Sequence, residues 1–170
     1  MDVHLRKFQE GHHQRRDAIN ALHFTYRGLQ RLMPTMVRRS EGLLERVLMD
    51  QQRVDRAVDA VLVDAAVGHG HPPRSCVCQE AGSLLGELYH ADRTPAPLQR
   101  NKLLVHALRN VRAFLVRTYT RLLEALPDEV HPALRATALE LQQREADQHR
   151  ELVGLGELLL QWDGTERRTA

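Results

Sequence analysis

Apolar side chains recur every three or four residues along four long stretches of the chain, and no stretch shows the sustained alternation of a β-strand. The four stretches are residues 14–36, 41–67, 98–126 and 132–162. Ser40 is the expected N-cap of the second stretch, and Pro127 is expected to end the third. The pattern therefore predicts four long α-helices. The inward face predicted for the second helix is Leu44, Val47, Gln51, Val54, Val58, Val61 and Ala65.

The links between these helices differ in length, and this difference predicts the topology. Two links are short, whereas residues 68–97 form a long connection in which residues 80–90 have the pattern of a short helix. Short links make neighbouring helices antiparallel, and a long crossover lets two helices run parallel. We therefore expect an all-α fold: a ferritin-like antiparallel four-helix bundle with one long crossover between helices two and three. In this scheme residues 1–16 are a flexible basic arm, residues 17–162 the bundle, and residues 163–170 a polar tail.

Composition indicates one soluble domain. The chain has 170 residues, of which 42% are hydrophobic and 27% charged. The net charge of +2 and the even spread of basic residues give no reason to expect nucleic acid as a partner. We expect no membrane span and no secretory signal, because no apolar run reaches about 18 residues and the N-terminal stretch is polar. The expected location is the cytoplasm.

Two polar residues interrupt the apolar stripe of the fourth helix. The stripe includes Leu141 and Leu152. At a period of 3.6 residues, the positions of the stripe between these two leucines are Glu145 and His149. A buried carboxylate without a partner is costly, so either a metal ion or a cationic side chain is required beside Glu145.

A second candidate lies in the long connection, in the sequence GHGHPPRSCVC. His71, Cys76 and Cys78 offer the imidazole and thiolate ligands that zinc and copper prefer. The Cys-x-Cys spacing is shorter than the spacing of the usual zinc knuckle. The alternatives are a loop that binds zinc or copper as a metal or redox sensor, and a plain loop with one buried and one exposed cysteine.

The stretch LRNVRAFLVRTYTRLLEALPDEVHPALRATALELQQREADQHREL resembles an uncharacterised bacterial ferritin-like four-helix-bundle family that is related to stress-induced ferritin-like proteins. AINALHFTYRGLQRLM and GSLLGELYH are similar to that family's first helix and crossover. The resemblance implies a ferritin-like bundle, a role linked to stress, and a homodimer. The superfamily's chemistry implies an iron or manganese pair held by four to six inward carboxylates and imidazoles.

This chain departs from that ligand set. At mid-height, the first helix offers Tyr26, the second offers Gln51 with Asp50 beside the stripe, and the third offers Arg112. Together with Glu145 and His149, these groups do not neutralise two divalent ions, so Asp50, Glu145 and His149 are expected to be at most a vestigial metal site. We instead expect a structural polar layer in which Arg112 pairs with Glu145, beside Tyr26 and Gln51. The predicted function is non-enzymatic, without a cofactor: a structural or interaction module whose protein partner is not identified. An iron- or manganese-binding oxidase or storage protein is the alternative.

Overall fold

The computed structural model describes residues 3–127 and 131–166, and side chains within residues 10–127 and 131–161. All regular structure in these residues is helical. The helices are Val3–Arg39 (α1), Gly42–Gly68 (α2), Gln79–Asp92 (α3), Pro97–Glu124 (α4) and Pro132–Glu166 (α5). The all-α prediction is therefore confirmed for the described part of the chain.

The helix ends differ from the predicted bounds. α1 starts at Val3 and continues past Pro34 to Arg39, so helix replaces most of the arm expected at residues 1–16. Helix α5 extends to Glu166, into the predicted tail, whose residues 167–170 lie outside the described residues. Ser40 is not the cap of α2. Glu41 is the N-cap, without a side-chain capping bond, and the buried Ser40 hydroxyl has no hydrogen-bond partner among the described residues.

Contacts at one end of the helices show the direction in which each long helix runs. At one end, Arg15 near the start of α1 donates to the carbonyl of Ala125, just after α4. At the same end, His71 after α2 contacts His131, which precedes α5. The starts of α1 and α5 therefore lie with the ends of α2 and α4. It follows that α2 and α4 run in one direction, and α1 and α5 in the other.

The four long helices pack in a closed ring. Helices α1 and α5 each contact both α2 and α4, while α3 lies across α1 and α4. The interior is aliphatic for most of its length, with residues such as Leu22, Leu48 and Leu115 fully buried. Gly28 allows the close approach of α3, because a Cβ atom there would lie 2.2 Å from Leu85 Cδ1. None of the helices in the described part of the chain combines the length and apolar character needed to cross a membrane.

The inward face of α2 is rotated from the predicted one. Val61 is 48% exposed, and Val54 and Ala65 are only partly buried. Beyond Gln51 the buried positions are Asp55, Val58, Asp59, Leu62 and Ala66. The predicted stripe followed valines at an average spacing of about 3.5 residues, whereas a straight helix repeats every 3.6 and drifts by about 20° per heptad. Asp55 and Asp59, which lie outside the predicted stripe, are therefore buried in the core.

Candidate functional site: a buried ion-pair layer

A fully buried arginine is the centre of a polar layer inside the bundle. The Arg112 side chain on α4 is 0% exposed. Its Nη1 donates to Asp55 Oδ1 at 2.6 Å, and its Nη2 donates to Asp55 Oδ2 at 3.0 Å. Such a two-bond pair between guanidinium and carboxylate is the strongest ion-pair geometry in proteins. Nη2 also donates to Gln51 Oε1 at 3.0 Å.

Glu145 connects this ion pair to two tyrosines. Glu145 Oε2 accepts a hydrogen bond from Arg112 Nη1 at 3.1 Å, and Oε1 accepts one from the Tyr26 hydroxyl at 2.8 Å. The Tyr26 and Tyr119 hydroxyls lie 3.1 Å apart. The layer therefore contains residues of all four long helices: α1, α2, α4 and α5.

The charges in this layer shift the pKa values of its members. Burial alone lowers the pKa of Arg112, but the Asp55 and Glu145 carboxylates more than offset it, and the pKa is raised. Burial raises the pKa of Glu145, and Arg112 opposes only part of that effect. Burial, together with the Glu145 charge, raises the pKa of Tyr26 well above its ordinary value. Burial likewise raises the pKa of Tyr119. Both tyrosines are therefore neutral hydrogen-bonding groups near neutral pH.

A second acidic group on α2 extends the polar region toward the surface. Asp59 is one turn beyond Asp55 and is buried. Its Oδ1 lies 2.8 Å from His23 Nδ1, and its Oδ2 accepts a hydrogen bond from Gln30 Nε2 at 3.2 Å. Asp55 and Asp59 were missed by the sequence interpretation. A strict 3.6-residue period counted from Leu44 and Leu48 would have included both.

The structure brings together some of the predicted core residues and separates others. Arg112, Glu145, Tyr26 and Gln51 are hydrogen-bonded into one layer. Asp50 is not part of it: its side chain is 71% exposed and pairs with Arg53 at 4.0 Å. The reason is the rotated face of α2, which turns Asp55 inward in place of Asp50.

His149 is also absent from the layer. It is only half-buried, and the neighbouring Gln148 takes the buried position on the way to Leu152. Its four-residue step from Glu145 carries it to the edge of the stripe. The predicted Glu145–His149 pair therefore does not form a common inward-facing ligand set.

The predicted loop ligands lie in different places. His71 lines a cavity at the end of the bundle, Cys76 lines a second cavity beside α1, and Cys78 lines a third. Cys76 is exposed, Cys78 is half-buried, and both thiols are free. Residues 71–78 connect α2 to α3 without regular secondary structure, and they do not gather the three side chains in one cavity.

His71 instead contacts histidines from other elements. Its ring centre lies 5.2 Å from that of His12 on α1 and 5.5 Å from that of His131. His131 in turn lies 5.6 Å from His69. Burial, followed by the nearby charge of Arg15, lowers the pKa of both His71 and His131. Protonation of His71 and His131 is therefore disfavoured in the folded protein.

Within the part of the chain whose side chains are described, no group of three or more His, Cys, Asp or Glu residues is placed to hold a metal ion. Comparison with protein-family models, curated proteins and solved structures finds no match to this chain.

Proposed function

We propose that this protein is a non-catalytic, ferritin-like bundle, a structural and interaction module linked to stress, in which an ion-pair layer stands in place of a dimetal centre. The observation that supports the proposal is the position of Arg112. Its guanidinium is fully buried at the middle of the helices and is shared by Asp55 and Glu145. The ferritin-like comparison is supported by the parallel directions of α2 and α4 and by the long connection between them.

Charge balance explains why this layer favours arginine over metal. Two divalent ions bring four positive charges, whereas Asp55 and Glu145 provide at most two negative charges. The guanidinium donates to both carboxylates and to Gln51, so it provides hydrogen bonds to all three groups and balances one of the two negative charges. A metal would have to displace Arg112, and that would leave the displaced cation without its partners.

Such a layer contributes to structural specificity more than to stability. Buried ion pairs rarely add net stability over apolar residues, but they can fix which helices lie side by side and in which register. Arg112 joins α4 to α2 and α5 at once. A shift of α2, α4 or α5 by one turn would leave a buried charge unpaired.

Elemental analysis of the purified full-length chain, after incubation with Fe²⁺ or Mn²⁺ and desalting, tests the proposal. We expect no stoichiometric iron or manganese in the wild type. About two ions per chain, lost in Glu145→Ala and retained in the control Glu140→Ala, would overturn the proposal in favour of an iron- or manganese-binding oxidase or storage protein. Glu140 is a matched control because it is on the same helix but on its surface, paired with Arg144.

The same analysis tests the loop alternative. Zinc or copper that is lost only in Cys76→Ser/Cys78→Ser would move the function to residues 69–78. The positions of His71, Cys76 and Cys78 in three separate cavities argue against that alternative.

The homodimer implied by the ferritin-like resemblance is a further part of the proposal. Light scattering coupled to size exclusion gives the mass directly. We expect twice the chain mass of 19.5 kDa. A mass equal to one chain at micromolar concentrations would remove the homodimer from the proposal and leave the core layer unaffected.

A further inference from the structure

A cavity of about 590 Å³ lies between α1, α3 and the connecting segment, residues 71–78, that precedes α3. Its volume is in the range of about 300–1,000 Å³ that is typical of small-molecule sites. It does not overlap the Arg112 layer, and the proposed function makes no use of it. Its lining combines arginines with apolar side chains.

Three arginines line this cavity without a balancing carboxylate. Arg27 and Arg31 are one turn apart on α1, and Arg74 belongs to the connecting segment. Their guanidinium groups make no ion pair or hydrogen bond with any described residue. Among the described residues, no acidic one lines the cavity. Like charges one helical turn apart destabilise a helix slightly, and a bound anion would reverse that effect.

Asp59, an acidic group that contacts a residue of the cavity lining, already has other partners. His23 lines the cavity, and its Nδ1 lies 2.8 Å from Asp59 Oδ1. Asp59 is buried on the other side of His23 and also accepts a hydrogen bond from Gln30. The positive charge of the three arginines is therefore available to a ligand.

The arginine cavity is held in shape by the surrounding fold. The backbone N–H of Arg74 donates to Asn20 Oδ1 at 2.7 Å, which holds the connecting segment against α1. Asn20 is itself buried, at 5% exposure. Gly28 allows Leu85 of α3 to close one wall at contact distance from α1. Preorganisation of this kind lowers the entropy cost of binding.

The remaining wall is apolar. Phe24, Val77 and Leu85 line it, and Val77 is 85% exposed. A planar guanidinium matches phosphate oxygens with two parallel hydrogen bonds, and an aromatic ring offers a stacking surface to a flat organic group. From this combination, we propose that the cavity binds a small organic phosphate of the nucleoside phosphate class. The phosphates lie against Arg27, Arg31 and Arg74, and the base lies against Phe24 and Leu85.

Cys76 gives a direct test, because its exposed thiol lines the same cavity. In the Cys78→Ser chain, Cys76 is the only thiol. Its rate of alkylation by N-ethylmaleimide, an uncharged reagent, is measured at constant ionic strength against rising concentrations of ATP without magnesium. We expect ATP to slow the reaction in a saturable way, and adenosine to have little effect.

Arginine variants distinguish a built site from general charge attraction. In the same background, Arg27→Gln/Arg74→Gln should raise the half-protecting ATP concentration by roughly tenfold or more, because each substitution removes charge-assisted hydrogen bonds. The matched control is Arg46→Gln/Arg56→Gln. It removes the same charge from two exposed arginines of α2 that do not line the cavity. The control should behave like its parent.

Four outcomes would overturn the proposal. They are the absence of protection by ATP, equal weakening in both arginine variants, equally tight protection by inorganic phosphate alone, and tighter protection by a short single-stranded oligonucleotide. The last two would mean, respectively, that the apolar wall has no role and that the ligand is nucleic acid.

Discussion

Two buried arginines in this bundle have opposite electrostatic surroundings. Arg112 in the central layer is 0% exposed and faces two carboxylates, and its pKa is raised although burial alone lowers it. Arg15 at the end of the bundle is 5% exposed and donates to the Ala125 carbonyl, and burial lowers its pKa. Burial alone therefore does not set the direction in which the pKa of an arginine shifts, because the charge of its partners can reverse it.

The neighbours of the two arginines reflect the same contrast. Glu145 beside Arg112 belongs to a layer that has more negative than positive charge, since two carboxylates share one guanidinium. His71 beside Arg15 belongs to a cluster of imidazoles whose protonation would add like charges. The central layer is thus sensitive to the removal of its cation, and the end of the bundle is sensitive to the addition of protons.

The largest effect is expected from Arg112→Met. The substitution leaves two buried carboxylates without their cation, so the free energy of unfolding should fall by about 3–5 kcal/mol. Arg15→Met removes only a hydrogen bond to a carbonyl and a cation close to the histidines, so its effect should be about 1 kcal/mol or less. Urea denaturation of both variants measures the difference. Equal losses would show that the two environments do not differ in energy.

Replacement of the whole ion-pair group sharpens this result. The triple variant Arg112→Met/Asp55→Leu/Glu145→Leu removes the three charges of the central layer together. It should recover most of the stability lost in the single variant, because well-packed apolar groups often equal or exceed a buried ion pair. A triple variant less stable than Arg112→Met would mean that the layer itself stabilises the fold.

Sequence patterns could predict the centre of this layer but not all of it. Glu145 interrupts an apolar stripe of α5, and Arg112 interrupts one of α4, so a partnership between the two follows from periodicity and charge. Asp55 could not be found with a stripe of about 3.5 residues, because the inward face of α2 follows the 3.6-residue period and reaches Asp55 after Gln51. The neighbours of His71 are even harder to predict from the sequence. Its neighbours His12 and His131 are far away along the chain in either direction, and only the packing of helix ends brings them together.

The next effect concerns the two tyrosines of the central layer. Tyr26→Phe removes a hydrogen bond to a buried carboxylate and should cost about 1.5–3 kcal/mol of unfolding free energy. Tyr119→Phe removes only the bond between the two hydroxyls and should cost about 0.5–1.5 kcal/mol. Both variants keep the aromatic ring, so packing is conserved and thermal or urea denaturation reports the hydrogen bond. The reverse order would mean that the Tyr26 hydroxyl does not donate to Glu145.

The pH dependence of the unfolding free energy of Glu145→Gln tests whether the central layer has an excess of negative charge. Because the pKa of Glu145 is raised by burial, the folded state retains a proton that the unfolded state releases near pH 4.5. The folded wild type therefore loses stability as pH rises above about 4.5, and the Glu145→Gln variant lacks this contribution. The free energy of unfolding of the variant, relative to the wild type, should increase as pH rises from 4.5 toward neutrality. A difference that stays constant over this range would show that Arg112 fully compensates the burial of Glu145.

The smallest effect on stability is expected from His71 at the end of the bundle. Its pH dependence has the opposite sign to that of Glu145. The pKa of His71 is lowered, first by burial and then by the charges of Arg15, His12, His131 and His69, and the carboxylates Glu10 and Glu124 line the same cavity. The unfolded state therefore binds a proton near pH 6.5 that the folded state resists, and stability falls as pH drops below 6.5.

His71→Gln removes this titration while it keeps a polar side chain, so its melting temperature should fall less than that of the wild type when the pH is lowered from about one unit above 6.5 to about one unit below it. His149→Gln is the control, since His149 is half-buried on α5 and does not line this cavity. It should retain the wild-type slope. If His71→Gln and the wild type have the same slope, protonation of the histidine cluster does not destabilise the fold. The contrast between the central layer and the end of the bundle would then depend on Arg112 and Glu145 alone.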